Sequence, residues 1–106
     1  MMKRGEVWLA RLDPPEGREI QKTRPCVVIS PPEIHDFLDV VIVAPMTTGS
    51  ASAPYRIDVM FNRKQNRILL DQIRTIDKRR LLRRMGAVDG KTAGLVLAGL
   101  RELFAE

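Results

Sequence analysis

The sequence predicts a mainly β domain, in which a small, strongly bent antiparallel sheet forms an open barrel with short helical segments and a C-terminal helix packed over one side. Two observations predict this class. Five or more short strand-like runs are separated by turn-forming residues, and one helical pattern stands near the end of the chain. The 106 residues suffice for one hydrophobic core, so we treat residues 1–106 as a single domain without internal repeats.

The first two predicted strands are separated by a long polar loop. Residues 5–12 alternate between apolar and polar side chains, which is typical of a strand whose second face is partly covered. Turn formers fill residues 13–17, and the loop continues to residue 23. Residues 26–29 are all apolar and predict a short strand buried on both faces, which includes the only cysteine, Cys26, as a core residue.

The middle of the chain carries the strongest strand signal, at residues 39–46, which are apolar on both faces and therefore central. We expect Pro45 to end the pairing of this strand. Residues 33–37 form either a connection or a single helical turn. They include the only histidine, His35, which we interpret as a loop residue. A small, polar and mobile loop follows at residues 47–54.

Two further strands and two helical segments complete the prediction. Residues 55–60 alternate, with Tyr55, Ile57 and Val59 on one face, and residues 67–73 form the next strand after a turn at 62–66. The basic segment 77–86 has the pattern of a short amphipathic helix. Asp89 or Thr92 can cap the final helix. Its apolar face would consist of Ala93, Val96, Leu97, Leu100, Leu103 and Phe104.

The composition favours an anionic partner. Eighteen Lys and Arg residues against thirteen Asp and Glu residues give a net charge of +5, which points first to nucleic acid. One cysteine and one histidine argue against an internal disulfide, a zinc site or a Cys-His catalytic pair. No apolar run is long enough to span a membrane and no signal region leads the chain, so we expect a cytoplasmic protein without a membrane partner.

Arg24 is the first candidate for chemistry. Pro25 biases Arg24 toward an extended conformation at the mouth of a strand, where its guanidinium can meet an anion. If the partner is RNA, the simplest reaction without a metal is attack by a ribose 2′-hydroxyl on its own phosphate. The hydroxyl of Thr47 or Thr48 would then supply further donors, beside backbone N–H groups of the turn at Gly49. The alternatives are a surface arginine and a merely flexible turn.

A proton acceptor and a binding surface are also needed for that reaction. Glu19 and Asp71 are the candidate carboxylates for accepting the hydroxyl proton. The densest basic run is either a solvated face or a footprint for a phosphate backbone. Its cations are Lys78, Arg79, Arg80, Arg83 and Arg84. Trp8, Tyr55 and Phe61 can stack a base or belong to the core.

Six stretches, taken in order, resemble the MazF/PemK family, the toxin half of bacterial toxin–antitoxin pairs. They are Arg4-Gly5-Glu6-Val7-Trp8-Leu9, Leu12-Asp13-Pro14, Gly17-Arg18-Glu19, Lys22-Thr23-Arg24-Pro25, Val43-Ala44-Pro45-Met46-Thr47-Thr48 and Leu70-Asp71-Gln72-Ile73-Arg74-Thr75-Ile76-Asp77. Each motif is short, but the ordered set covers nearly the whole chain. The resemblance implies a homodimer of small SH3-like barrels of the CcdB/PemK type.

The resemblance also implies an activity. Such proteins are metal-independent endoribonucleases, or mRNA interferases, which need no cofactor and cut single-stranded RNA at short sequences. They leave a 2′,3′-cyclic phosphate and a 5′-hydroxyl, inhibit translation and growth, and are blocked by a cognate antitoxin. The alternatives are a non-catalytic toxin of the same fold that binds DNA gyrase, and an inactive nucleic-acid-binding barrel. The Arg24-Pro25 and Thr47-Thr48 elements favour the nuclease.

Position by position, the resemblance assigns three catalytic residues. Arg24 matches the family's catalytic arginine, Thr47 its catalytic threonine with Thr48 as the competitor, and Glu19 a loop glutamate. The substrate-binding residues expected around them are Thr48, Asp71, Gln72, Arg74 and Lys22. A metal site is not expected.

Overall fold

The computed structural model describes residues 2–12 and 22–106, which form seven strands and two helices. The strands are β1 (Glu6–Arg11), β2 (Thr23–Val28), β3 (Val40–Thr47), β4 (Arg56–Phe61), β5 (Lys64–Leu69), β6 (Arg74–Asp77) and β7 (Leu81–Ala87). The helices are α1 (Pro32–His35) and α2 (Gly90–Leu103), and two 3₁₀ turns, Leu70–Gln72 and Lys78–Arg80, lie on either side of β6. The mainly β class with a C-terminal helix is confirmed.

The sheet is a curled half-barrel organised around β3. All strand pairs are antiparallel, in the order β4-β5-β3-β2-β1-β7, and β6 also pairs with β3. On one edge β3 pairs with β2, whereas on the other it pairs first with β6 and then with β5. The predicted central position of this strand is therefore confirmed.

The expectation that Pro45 ends the pairing of β3 is wrong. Pro45 lies opposite Cys26 of β2, and the strand continues to Thr47, which pairs with Arg67 of β5. The reason is the change of partner on the other edge, where β6 reaches only Val43 and β5 begins at Met46. Pro45 falls in the gap between them, where no strand of the described residues lies opposite that edge to accept an N–H.

Apolar side chains fill both faces of the sheet, as the sequence predicted for β2 and β3. One cluster lies under α2 and contains Val7, Val27, Ala44, Met46, Val59, Ile68, Leu70 and Val96. The other contains Ala10, Leu12, Cys26, Val28, Val41, Val43 and Ile76. Burial raises the pKa of the Cys26 thiol to about 12, so this cysteine is a protonated core residue at neutral pH.

The predicted helix over residues 77–86 is wrong. A 3₁₀ turn at Lys78–Arg80 leads directly into β7, which pairs with β1 from Ala10 opposite Leu81 to Glu6 opposite Ala87. The strand predicted over residues 67–73 also differs, because β5 runs from Lys64 to Leu69 and a 3₁₀ turn separates it from β6, which was not predicted as a strand. Pairing with the free edge of β1 outweighs the local helical pattern of this basic segment.

The two helices differ from the sequence prediction in one residue each. Asp89 caps α2, accepting a hydrogen bond from the Thr92 backbone N–H at 2.7 Å, but Phe104 lies beyond the last turn and is 70% exposed. The helical turn that was one of the two readings of residues 33–37 is confirmed as α1, so His35 is not a loop residue. It ends α1, is only 2% exposed, and its Nε2 lies 2.7 Å from the carbonyl oxygen of Met2, which ties down the start of the described chain. No helix among the described residues has the length and apolar character needed to cross a bilayer.

Candidate active site

A cavity of about 230 Å³ opens where β2 begins and β3 ends. Three predicted site residues line it: Arg24, Thr47 and Thr48. The register explains why they meet. Cys26 and Pro45 form the last β2–β3 pair, and Arg24 and Thr47 stand two residues beyond it, one on each strand.

The Arg24 guanidinium has one buried hydrogen-bond donor that is unsatisfied among the described residues. Its Nε is buried and has no hydrogen-bond partner within the part of the chain that the structure describes. Leaving a buried donor unsatisfied costs about 1–3 kcal/mol, more when the group is charged. A bound anion such as a phosphate would remove that cost, since a guanidinium presents its donors in a fork that matches two phosphate oxygens.

The two threonines of the cavity differ in how firmly they are held. Thr47 is 7% exposed, and its Oγ1 accepts a hydrogen bond from the Gly49 backbone N–H at 3.3 Å. A hydroxyl that accepts a hydrogen bond still has its own proton to donate to another group, so Thr47 can act as a donor in the cavity. Thr48 is exposed. The structure thus gives Thr47 the fixed hydroxyl.

The β4–β5 hairpin supplies cavity residues that the sequence analysis missed as site residues. Asn62 and Arg63 form its two-residue turn, with φ of 49° and 63°, as a type I′ turn requires. The Asn66 side chain donates to the carbonyl oxygens of Lys64 at 3.0 Å and Phe61 at 3.5 Å, which fixes the tip of the hairpin. The lining residues from this hairpin are Phe61, Asn62, Lys64 and Asn66, and Met85 of β7 completes the wall.

A sequence signal for this hairpin exists, but it is incomplete. The dipeptide Asn62-Arg63 between two alternating runs marks a tight turn, and the sequence analysis placed a turn there. What brings the hairpin to the cavity is the pairing of β5 with the end of β3, through Thr47 opposite Arg67. That pairing joins segments far apart in the chain and leaves no local pattern.

Four other predicted binding residues lie outside the lining of this cavity: Lys22, Asp71, Gln72 and Arg74. Asp71 is the middle residue of the 3₁₀ turn Leu70–Gln72, and its carboxylate oxygens accept two hydrogen bonds from Arg56, at 3.1 and 3.0 Å. Arg74 pairs with Val43 in the middle of β3, four residues before Thr47. Glu19, the predicted proton acceptor, lies outside the described residues.

The cavity is electropositive. Its described lining contains two cations, Arg24 and Lys64, and no carboxylate. Within residues 2–12 and 22–106, no three His, Cys, Asp or Glu side chains are grouped as a metal site would require. Such a lining suits an anionic group with an apolar neighbour, because Phe61 and Met85 form the other wall.

The remaining predicted cations and aromatics are distributed around the sheet. Arg79 forks onto Asp77 with both distances at 3.1 Å, and Arg84 pairs with Glu6 at 3.2 Å. Trp8 also donates to Glu6, at 3.0 Å, and packs against the second core cluster. Of the three candidate aromatics, Phe61 is the one that lines the cavity.

Comparison with known proteins identifies the family of this fold and cavity. A family model described as PemK-like, MazF-like toxin of type II toxin–antitoxin system matches residues 3–104. An endoribonuclease MazF from Staphylococcus epidermidis is 39% identical over 87 residues, which cover 76% of this chain and 72% of the relative.

Solved structures with the same fold are more distant in sequence. A MazF from Deinococcus radiodurans superposes with a TM-score of 0.87 at 20% identity, covering 99% of this chain and 97% of the other. A mycobacterial endoribonuclease in complex with its cognate antitoxin superposes with a TM-score of 0.80 at 18% identity, covering 96% and 93%. At these identities the likeness supports the fold.

Proposed function

The chain belongs to the PemK-like, MazF-like toxin family of type II toxin–antitoxin systems, and we propose that it is a sequence-specific endoribonuclease that cuts single-stranded RNA and thereby inhibits translation and growth. The observation that carries the proposal is the cavity in which Arg24, with its unsatisfied buried Nε, meets the fixed hydroxyl of Thr47. A 39% identical relative named as an endoribonuclease supports the same activity.

The proposed reaction is transesterification within the RNA strand. The 2′-oxygen of one ribose attacks the adjacent phosphorus, the bond from phosphorus to the 5′-oxygen breaks, and the products carry a 2′,3′-cyclic phosphate and a 5′-hydroxyl. The proton of the 2′-hydroxyl leaves to a general base, and the departing 5′-oxygen takes a proton from solvent water. These steps need no metal.

Arg24 and Thr47 stabilise the charge that develops on the phosphorane. The Arg24 fork donates to two non-bridging oxygens, and the Thr47 hydroxyl donates its free proton to one of them. The cavity supplies no carboxylate from its described lining, so the proton acceptor comes from elsewhere. Glu19, in the segment that precedes β2, is the proposed base, and Asp71 is the less favoured one because Arg56 occupies both of its oxygens.

Binding of the flanking nucleotides is proposed to use the rest of the cavity wall. Lys64 and the exposed Thr48 can contact phosphate oxygens, while Phe61 offers a ring on which a base can stack. Lys22, Gln72 and Arg74 stay as proposed contacts for nucleotides outside the cavity. From the family we also propose that the protein is a cytoplasmic homodimer. A cognate antitoxin would cover its RNA site.

The test is cleavage of a long single-stranded RNA by purified protein in excess EDTA. We expect discrete cuts with 5′-hydroxyl ends by the wild type and a rate reduced at least a hundredfold by Arg24→Ala. The matched control is Arg101→Ala, which removes an exposed arginine from α2 and should leave the rate unchanged. Equal rates for wild type and Arg24→Ala would overturn the site. No cutting by folded wild type would favour the gyrase-binding or inactive alternatives.

A further inference from the structure

We propose that Arg67 and Arg56 are positioning residues that hold the loop between β3 and β4 (the β3–β4 loop, residues 48–55) in the conformation required for phosphate binding. The inference rests on the proposed function, because the loop begins next to Thr47 and carries Thr48 into the same cavity. Neither arginine lines the cavity, so both would act through the loop backbone.

Arg67 connects the loop to β4. It stands on β5 directly opposite Thr47, and its Nη1 donates to the Ser50 carbonyl oxygen at 2.6 Å. Its Nε lies 3.0 Å from Asp58 Oδ1 of β4. The Arg67 side chain is about three-quarters buried, and its contact with Asp58 is an ion pair without hydrogen-bond geometry at Nε, so charge attraction holds the guanidinium while Nη1 carries the hydrogen bond to the loop.

Arg56 holds the next residue of the loop in the same way. Its Nη1 donates to the Ala51 carbonyl oxygen at 3.3 Å, while Nε and Nη2 fork onto the carboxylate of Asp71 at 3.1 and 3.0 Å. The carboxylate keeps the pKa of the Arg56 guanidinium above its usual value through these hydrogen bonds. Two consecutive loop carbonyls are therefore bound by two arginines, each anchored by an acid on a different element.

The loop has few other means of staying in one conformation. Residues 48–55 are Thr-Gly-Ser-Ala-Ser-Ala-Pro-Tyr, of which Thr48, Gly49 and residues 51–54 are exposed and only Tyr55 packs against the core cluster under α2. Small exposed side chains bury little apolar area, and ordering such a backbone costs about 1–2 kcal/mol per residue. Charged hydrogen bonds to two carbonyls offset part of that cost and orient the Gly49 N–H that meets Thr47.

This geometry gives Asp71 a role different from proton transfer. Both oxygens of the Asp71 carboxylate accept hydrogen bonds from the Arg56 guanidinium, so the geometry assigns this carboxylate to holding Arg56. Asp71 would then act on the reaction only through Arg56 and the Ala51 carbonyl. Its removal should lower the rate without changing which ionisations the rate depends on.

The first test compares Arg67→Ala, Arg67→Lys and the control Arg101→Ala by steady-state cleavage of an RNA oligonucleotide with one site. We expect Arg67→Ala to lower kcat about 10–100-fold with KM changed less than about threefold, since a misplaced donor loses transition-state contacts. Arg67→Lys should recover part of kcat by binding Ser50 alone. Backbone amides at residues 48–51 should exchange with deuterium faster in Arg67→Ala while those of β3 and β5 keep their protection.

The second test uses Asp71→Asn and Arg56→Ala. The proposal expects both to lower kcat by similar factors, the double variant to be no worse than either single variant, and the pH–rate profile of Asp71→Asn to keep the wild-type shape. Loss of one limb of that profile would instead make Asp71 a proton carrier.

Full kcat for folded Arg67→Ala and Arg56→Ala would overturn the positioning role. If the wild type does not cut RNA, the proposed function fails. Deuterium exchange of the loop amides would still decide whether the two arginines hold the loop.

Discussion

At the scale of single residues, the two adjacent threonines of the cavity are distinguished by one hydrogen bond. Thr47 Oγ1 accepts from the Gly49 N–H and Thr47 is buried, whereas Thr48 is exposed. We expect Thr47→Val to lower kcat about 100–1,000-fold, because the donor proposed to stabilise the phosphorane is lost, and Thr48→Val to lower it less than about tenfold. Single-turnover cleavage measures both. A larger loss for Thr48→Val would exchange their roles.

Glu6 predicts how stability depends on pH. Burial alone would raise the pKa of this carboxyl, but hydrogen bonds from Trp8, the backbone near Lys3 and Arg84 lower the pKa below its usual value of 4.5. A lowered pKa means that the carboxylate stabilises the fold above pH 4.5, and that this contribution is lost as the pH falls through the folded-state pKa.

Glu6→Gln should therefore lower the free energy of unfolding by about 1–3 kcal/mol at pH 7 and by less in acid. Urea unfolding of both proteins between pH 3 and pH 7 measures the difference. Asp77 and Asp89 also have lowered pKa values and stay in both proteins, so the comparison isolates Glu6. A difference that does not depend on pH would show that Glu6 acts by packing alone.

The position of a single residue can be predicted from the sequence only where its neighbours in the chain determine it. Arg24 precedes Pro25 at the start of an apolar run, and Thr47 follows the strongest strand, so both could be predicted to stand at strand ends. The partner of Asp71 could not be predicted in the same way. Arg56 lies fifteen residues earlier, and the two meet only because β4 folds back along β5 and the 3₁₀ turn.

At the scale of elements, helix α2 packs on the sheet through a glycine. A Cβ at Gly99 would stand 2.7 Å from Leu70 Cδ1, and Leu70 is fully buried and cannot move aside into solvent. Gly94 lies in the same helix, and a Cβ added there would have no atom of residues 2–12 or 22–106 within 4 Å beyond its own surroundings in the helix. Alanine substitutions at these two glycines therefore separate the effect of helix propensity on stability from the effect of packing.

Gly94→Ala should raise the free energy of unfolding by about 0.5–1 kcal/mol, because alanine is the better helix former. Gly99→Ala gains the same propensity but overpacks the core, at a cost of about 1–3 kcal/mol, so its net effect should be destabilising. Urea unfolding of the two variants measures both. Stabilisation by Gly99→Ala would mean that α2 can shift away from the sheet without loss.

Strand β7 shows why element type could not be fully predicted. Its residues Leu81–Ala87 include leucines, arginines and a methionine, which are good helix formers, so local propensity favours a helix. The edge of β1 offers a ladder from Glu6 to Ala10 that satisfies the backbone of this segment. The local sequence of this segment does not indicate that the edge of β1 is available for pairing. Helix α2 was predicted well because its cap and its periodic apolar face are local features.

At the scale of the whole molecule, the pairing of β3 with three strands decides where the site forms. The number of short strands and the single late helix predict a curled sheet with one covered side. The strand order brings the start of β2, the end of β3 and the β4–β5 hairpin to one cavity, and this order depends on contacts between distant segments. The class of fold was therefore predictable, while the hairpin's share in the cavity was not.

Charge at this scale gives a last prediction. The chain has a net charge of +5, and the question is whether RNA responds to that total or to cations on the strand that borders the cavity. Arg83 is exposed on β7, the strand that brings Met85 to the cavity wall, and Arg101 is exposed on α2. Arg83→Gln and Arg101→Gln remove the same charge from different faces.

Binding of a 2′-O-methyl RNA, which lacks the attacking hydroxyl and cannot be cut, should weaken with salt for the wild type. If Arg83 contacts a phosphate, Arg83→Gln should reduce the slope of log K against log salt by about 0.7, the value for one contact to a single strand. Arg101→Gln should leave the slope unchanged. Fluorescence anisotropy between about 50 and 300 mM KCl measures the salt slope for the wild type and for both variants. The two variants differ only in the position of the missing cation. Equal slopes for both would therefore mean that Arg83 makes no specific contact with a phosphate and that RNA binding depends only on the total charge.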